Sequence, residues 1–571
     1  MRSRLVLLPI AVFLGLAAVA ANAGGSVYKE TRASSPPVAV VGGVDAFHQL
    51  LSRSQQLGPV SPRFPVSVLL GLRDPGARQE AADVRAMYDP HSPLFGHYQS
   101  PGQMARYGPN RHQVTRFEGT LRREGLHPAW QVGHAWMTVT GPGGAIDRLF
   151  QVQVRRYRAP GGTRFVASWR DPRVPKSWRG LVTDAGRIST YPILHNADRP
   201  ALVPSGGLTP SQLLNAYDIQ PLRSLGYTGK GQTIAFLEID GYNPRDFQAF
   251  TQHFQLPGIQ PVLVGRPFGK VDGETEMDLE VAHEIAPDAR LVIYNERSTN
   301  MSAQVSFESS MVAHNVNGII SESLGVCELL LSGHDESKLA SVYGQADGLH
   351  ESVYVSTGDS AAFTCLNDLR QRGVPPSSQL VTISGLTVPT VTSVGGTNLS
   401  VQPNGTWYAE RAWEDPMRTG GTGGGISQYF ARPYYQQAPG TVDRVDNPHN
   451  MHSIPDISAD ADPSTGASLY LGGQWTFGGG TSQAAPMMAG ITALINQYLV
   501  HRRLPVAGFI NPALYALART AQPYPPYHDI TQGTNLWYRA TPGYDMASGL
   551  GTPDAYNLAR DLEAYDRSGH R

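Results

Sequence analysis

From residue 208 onward the sequence alternates short apolar, β-branched runs at 232–238, 290–294, 318–321 and 352–356 with helix-forming stretches at 274–285, 302–314 and around 339–346. Strands that are apolar throughout have no face for water, so helical crossovers between them require a parallel sheet covered on both sides. The chain is therefore α/β over most of its length. Ligands of such sheets bind beyond the carboxyl ends of the strands. Gly358, just past one strand end, and Ser482 fall where that rule places a site.

The 571 residues leave room for more than this domain. Residues 1–23 carry Arg2 and Arg4, an apolar run and the small-residue ending Ala21-Asn22-Ala23, which reads as a secretory signal peptide. Residues 24–62, rich in Ser, Pro, Gly and Ala, read as a linker with at most one helix. Region 63–189 reads as a small α+β domain, with strands at 66–72, 135–139 and 152–157 and helices at 77–87 and 111–124, a spacing that suggests a ferredoxin-like unit. Residues 190–206 contain Pro192, Pro200 and Pro204 and read as a second linker, long enough to be cut, ahead of the main domain at 207–565. Net charge is −1 and only 16% of residues are charged, which excludes a nucleic-acid footprint and a polybasic membrane patch. After signal removal no stretch is apolar enough to span a membrane, so a secreted, extracellular product is expected. Its two cysteines, Cys327 and Cys365, lie near neither a glycine-rich turn nor an evident histidine, and one disulfide is expected of them.

Gly478-Gly479-Gly480 leads into Thr481-Ser482-Gln483-Ala484-Ala485-Pro486 and then an apolar run to Leu499. A tight turn feeding a helix N-terminus would hold Ser482 at the bend beside unpaired N–H groups. A nucleophile next to an oxyanion site fits that description, and so does a serine N-cap on a plain glycine turn. A nucleophilic serine needs a base. Helix 274–285 carries Glu274, Glu276, Asp278, Glu280, His283 and Glu284. Glu274 and Asp278 are about 40° apart on the face shared with Ala282 and Ile285, and His283 is about 180° from Glu274. The helix dipole accounts for acids in the first turn, Glu274 and Glu276, but not for Asp278 facing inward one turn later. Two carboxyls on a buried face share a proton, with one pKa raised.

Gly358-Asp359-Ser360 superficially matches the Gly-Asp-Ser of trypsin-like proteases. Ala361 and Ala362 stand where that motif has glycines, and the surrounding chain is α/β. Asp359, at a strand end, is better placed to face an oxyanion.

The chain resembles the sedolisin, or serine-carboxyl peptidase, family. The resemblance is carried by the run from Gly273-Glu274-Thr275-Glu276-Met277-Asp278 to Ala282, by Gly358-Asp359-Ser360, by Asp456-Ile457-Ser458-Ala459-Asp460-Ala461-Asp462-Pro463 and by the segment around Ser482. Asp89-Pro90-His91-Ser92-Pro93 is similar to the family's kumamolisin-like activation propeptide. The resemblance implies a subtilisin-like catalytic domain behind a ferredoxin-like prodomain, and a secreted, acid-acting serine endopeptidase made as a proenzyme. It implies Ser482 as nucleophile, Glu274 as base, Asp278 as the group that orients Glu274, and Asp359 as a protonated oxyanion donor. Activity would then peak on the order of pH 3 to 5, where the shared protons are retained. Ser323, Leu324 and Gly325 look like one substrate-lining strand and Gly423, Gly424 and Gly425 like the other, offering backbone groups to an extended peptide. Leu324 stands where the family often has Trp, and Ser384-Gly385-Leu386 departs from its usual Phe-Pro-Ala. The Asp529 and Asp545 side chains and the Ile530, Thr541 and Gly543 carbonyls resemble the family's site for one Ca²⁺ ion. Asp456, Asp460 and Asp462 read as a structural loop. Expected partners are protein or peptide substrates and the chain's own propeptide. A tripeptidyl exopeptidase on the same machinery and a silent binding protein of this fold are the alternatives.

Overall fold

The computed structural model describes residues 46–569 apart from 194, 197–206, 267–268, 296–299, 326, 366–386, 418–419, 443–446 and 448. The expected signal peptide lies outside the described residues. Strands Val262–Gly265, Arg290–Asn295, Thr233–Glu238, Ile319–Glu322, Ser352–Ser356 and Thr392–Val401 run parallel in that spatial order. Trp407–Ala412 closes the far side antiparallel, and Ile457–Asp460 runs parallel to Thr392–Val401. Alternate residues of Thr233–Glu238 enter different cores. Ile234 and Phe236 pack with Met277, Leu279 and the helix Thr481–His501, whereas Ala235 and Leu237 pack with Val292, Tyr343 and Val355. Burying each such side chain contributes about 1.5–3 kcal/mol, so apolar burial on both faces sets the sheet and leaves its strand ends able to carry polar groups.

In the N-terminal domain His127–Ala129, Trp136–Pro142, Pro65–Leu72 and Val182–Ala185 form an antiparallel sheet in that order, the arrangement of a ferredoxin-like unit. Two expectations need correction. The strand foreseen at 152–157 belongs to a separate sheet, in which Val154–Arg158 lies between Gln55–Pro59 and Arg164–Ser168. The linker foreseen at 24–62 is folded from Ala46 on. Helix Ala46–Arg53 buries Ala46, Phe47, Leu50 and Leu51 beside Cys327, Leu329 and Leu330, and Gln55–Pro59 gains its structure from a partner about a hundred residues away.

This domain sits on helix Gly333–Gly348 of the larger one. Asp184 pairs with His334 at 2.6 Å and Lys338 at 3.8 Å. Tyr88 Oη donates to the Asp347 carbonyl at 2.8 Å and accepts from the Phe509 N–H at 3.1 Å.

Candidate active site

The helix Thr481–His501 starts at Gly480, whose φ of 84° is reached without strain only by glycine. A Cβ there would lie 2.3 Å from Asp359 Oδ2, so the third glycine of the run admits that carboxyl. Asp359 Oδ1 accepts from the Thr481 N–H at 2.7 Å and from Thr481 Oγ1 at 2.9 Å. These are donors of the kind a helix N-terminus leaves unpaired. Pro486, in the same helix, has no N–H to give the Ser482 carbonyl four residues back. Ser323 Oγ donates to that carbonyl at 3.2 Å instead. The proline thus opens a backbone acceptor next to the serine.

Ser482 Oγ is buried and completes no hydrogen bond, and neither does either Glu274 oxygen. The two are neighbours nonetheless. Burial pushes the Glu274 carboxyl well above its ordinary range, the Ser482 hydroxyl pulls it back, and Glu238, Asp240 and Asp359 push it further up. Asp278 accepts from Ser323 Oγ through both oxygens at 2.9 Å. Its pKa is raised by burial, then by Glu238 and Glu274. Glu238 lies beside Asp278 and accepts from Thr275 Oγ1 at 3.2 Å, and burial raises it too. Acids this close cannot all ionise, so they hold protons among themselves. His283 faces elsewhere, its Nε2 2.9 Å from the Pro257 carbonyl, and burial lowers its pKa to about 4.

The expected quartet of Glu274, Asp278, Asp359 and Ser482 is therefore one buried cluster. Glu238 and Asp240 join it and were not foreseen. Asp240 accepts from the Thr275 N–H and hydroxyl and from the Asp272 N–H, capping helix Glu274–Ile285, whose N-cap Gly273 has no side chain to do so. The available signal was an acid ending a wholly apolar strand at the sheet's carboxyl edge.

Leu324–Gly325 pairs antiparallel with His195–Asn196, so the edge foreseen for substrate holds a segment of the chain's own linker. Ser323 turns its hydroxyl into the carboxyl cluster. The second foreseen strand is packed against the interior along part of its backbone. The Gly423 N–H donates to the Gly358 carbonyl at 2.7 Å, and the Gly423 carbonyl accepts from Thr357 and Thr422. Gly425 pairs with Ile454, and a Cβ on Gly424 would lie 2.0 Å from the Met546 carbonyl. These glycines permit close internal packing, which a sequence cannot distinguish from a backbone offered to a ligand. Cys327 and Cys365 form the expected disulfide, fastening the chain after Leu324–Gly325 to the segment after Asp359.

The five residues foreseen around a cation lie on neighbouring loops. The Gly543 N–H donates to both Asp529 oxygens at 3.2 and 3.1 Å, and the Thr541 N–H to Asp545 Oδ2 at 2.9 Å. Burial pushes Asp545 up to about 6. Two carboxylates on these loops are hard oxygen donors of the kind a cation such as Ca²⁺ takes, although in this structure each accepts backbone N–H groups.

Residues 52–184 match the Pro-kumamolisin activation domain and residues 269–507 the Subtilase family. Kumamolisin of Bacillus sp. (strain MN-32) is 29% identical over 545 residues, covering 88% of this chain and 93% of that protein. Tripeptidyl-peptidase 1 of Bos taurus is 24% identical over 563 residues, covering 89% and 93%. Among solved structures, Pseudomonas sedolisin, a serine-carboxyl proteinase complexed with two molecules of pseudo-iodotyrostatin, superposes with a TM-score of 0.55 at 26% identity, covering 63% of this chain and 99% of that one.

Proposed function

The chain belongs to the sedolisin family of serine peptidases and carries its own activation domain, and on that premise we propose that it is exported as a zymogen and matures into an endopeptidase that cuts proteins in acid. The observation that carries this reading is the buried, unpartnered Ser482 hydroxyl beside Glu274 inside a shell of acids. No described helix is long and apolar enough to cross a membrane.

In this mechanism Ser482 Oγ attacks the peptide carbonyl while Glu274 takes its proton and later returns it to the leaving amine. Asp278, fixed by Ser323 and sharing a proton with Glu238, keeps the neighbourhood of Glu274 at one net charge. Asp359, held through Oδ1 by Thr481 and carrying a proton, donates to the developing oxyanion together with the Ser482 N–H. The pairing of His195–Asn196 with Leu324–Gly325 supports inhibition by the propeptide until the linker is cut. One Ca²⁺ held by the Asp529 and Asp545 carboxylates and the Ile530, Thr541 and Gly543 carbonyls would brace the C-terminal loops.

The similarity to tripeptidyl-peptidase 1 supports a second reading, removal of tripeptides from free N-termini. Digesting a denatured protein at about pH 4 and sequencing the products separates them. Internal peptides of varied length are expected. A ladder of tripeptides favours the second reading, and no product from the parent enzyme refutes both.

A further inference from the structure

Both neighbours of Ser482 in sequence are tied down, by different parts of the fold. On one side Thr481 holds Asp359 and its Oγ1 accepts from the Gly358 N–H at 2.8 Å. On the other, the fully buried Gln483 side chain donates through Nε2 to the Asp460 carbonyl at 3.0 Å and to Asp460 Oδ2 at 3.1 Å. Its Oε1 accepts from the Ala467 N–H at 2.8 Å. A Cβ on Gly478 would lie 2.5 Å from that Oε1, so a glycine of the run is needed to admit the amide.

The partners of Gln483 are themselves anchored. Asp460 Oδ1 accepts from the Leu399 N–H at 3.2 Å and Thr465 Oγ1 at 2.8 Å, and the Asp460 N–H donates to Tyr217 Oη at 2.8 Å. The loop carrying Ala467 closes on the first described residues after the linker. The Leu208 N–H donates to the Gly466 carbonyl, and the Ser468 N–H to the Leu208 carbonyl, both at 2.8 Å. Ser468 Oγ donates to the Gly207 carbonyl at 2.9 Å. One side chain thus joins the sheet end at Asp460, the start of the larger domain and the turn that presents Ser482. The site asks for a donor on one arm and an acceptor on the other, which a primary amide of this length supplies.

We propose that Gln483 is a positioning residue for the reaction, fixing the first helical turn so that Ser482 Oγ faces Glu274. The inference rests on the reading of Ser482 as nucleophile. Gln483→Met keeps the length of the side chain, removes both hydrogen-bonding arms and leaves Asp460 and the Ala467 N–H short of a partner. A small misplacement of the nucleophile is enough to lower kcat by about 100-fold, with KM little changed. Gln483→Glu separates positioning from mere filling of space. A neutral carboxyl keeps the acceptor for the Ala467 N–H and one of the two donations to Asp460, and an ionised one turns lone pairs on Asp460 Oδ2. The groups facing this position are all acidic: Asp460 directly, Asp462 and Glu410 behind it, and Asp359 and Glu274 across Ser482. They favour the protonated form in acid.

The test measures kcat and KM of the full chain, matured in acid, on denatured casein for the parent, Gln483→Met and Gln483→Glu across acid to neutral pH. The expected result is a kcat loss in Gln483→Met, with Gln483→Glu near the parent in acid and falling relative to it as pH rises. A Gln483→Met enzyme with parental kcat, or a Gln483→Glu to parent ratio that stays flat with pH, overturns the inference. If Gln483→Met does not fold, the Gln483→Glu ratio decides alone. A parent that does not cleave casein sinks the peptidase reading itself, whereas an active parent matched by its variants sinks only the role of Gln483.

Discussion

Glu238→Gln distinguishes a proton-sharing cluster from an ordinary buried hydrogen bond. Glutamine keeps the volume and can still accept from Thr275 Oγ1 and donate to Asp278, but it cannot carry charge. In the parent, Glu238 is the leading cause after burial that raises Asp278, and the leading carboxyl that raises Glu274. Two unit charges at about 4 Å and an effective dielectric of about 20 interact by about 4 kcal/mol, a ceiling of about 3 pH units. The acids share protons and are seldom charged together, so a shift of about one unit is the working expectation. Its sign follows from the cause. With the raising group gone, Glu274 and Asp278 ionise at lower pH, and both limbs of the kcat/KM profile move toward acid. The assay is peptide hydrolysis over the full pH range for parent and variant, with thermal melting to confirm folding. Superimposable profiles, or a shift toward alkali in a folded variant, refute the idea of a shared proton.

Three other outcomes follow. Ser482→Ala is expected to stay as full-length proenzyme when purified alone and held in acid, whereas the parent is cut between 190 and 206; a variant that matures unaided refutes self-processing. Removing the Cys327–Cys365 bridge, which spans a sequence separation of 38, is expected to cost about 4 kcal/mol in a chemical-denaturation curve. An unchanged curve would mean that the packing of Leu329 and Leu330 beside it holds this region by itself. Chelation with EDTA is expected to lower the melting temperature of the mature enzyme, an effect that weakens as pH falls through about 6, where Asp545 takes up a proton and competes with the metal. Melting indifferent to EDTA at every pH refutes the cation site.

The parts of this fold legible in sequence are those set by local periodicity. The apolar strands of the sheet, helix Glu274–Ile285 and the glycine turn before Ser482 all announce themselves within a dozen residues. Even the inward direction of Asp278 follows from helical geometry alone. What escaped depends on partners far along the chain. Glu238 joins Asp278 only because the strand ends beside the helix N-terminus, and Gln55–Pro59 becomes a strand only against Val154–Arg158. Gly423 and Gly424 look like open backbone until Gly358 and Met546 are seen pressed against them. Gln483 reads as an unremarkable helix residue, and its two anchors, Asp460 and Ala467, come into view only with the fold.

At the centre stands the assignment of proton transfer to carboxyl groups. The pH dependence of kcat/KM on a peptide substrate tests it most directly. A bell with its maximum on the order of pH 3 to 5 is predicted, rising as the cluster of acids loses its first proton and falling as it gives up the shared protons that remain. A rate that climbs to a maximum above pH 7 would contradict the account.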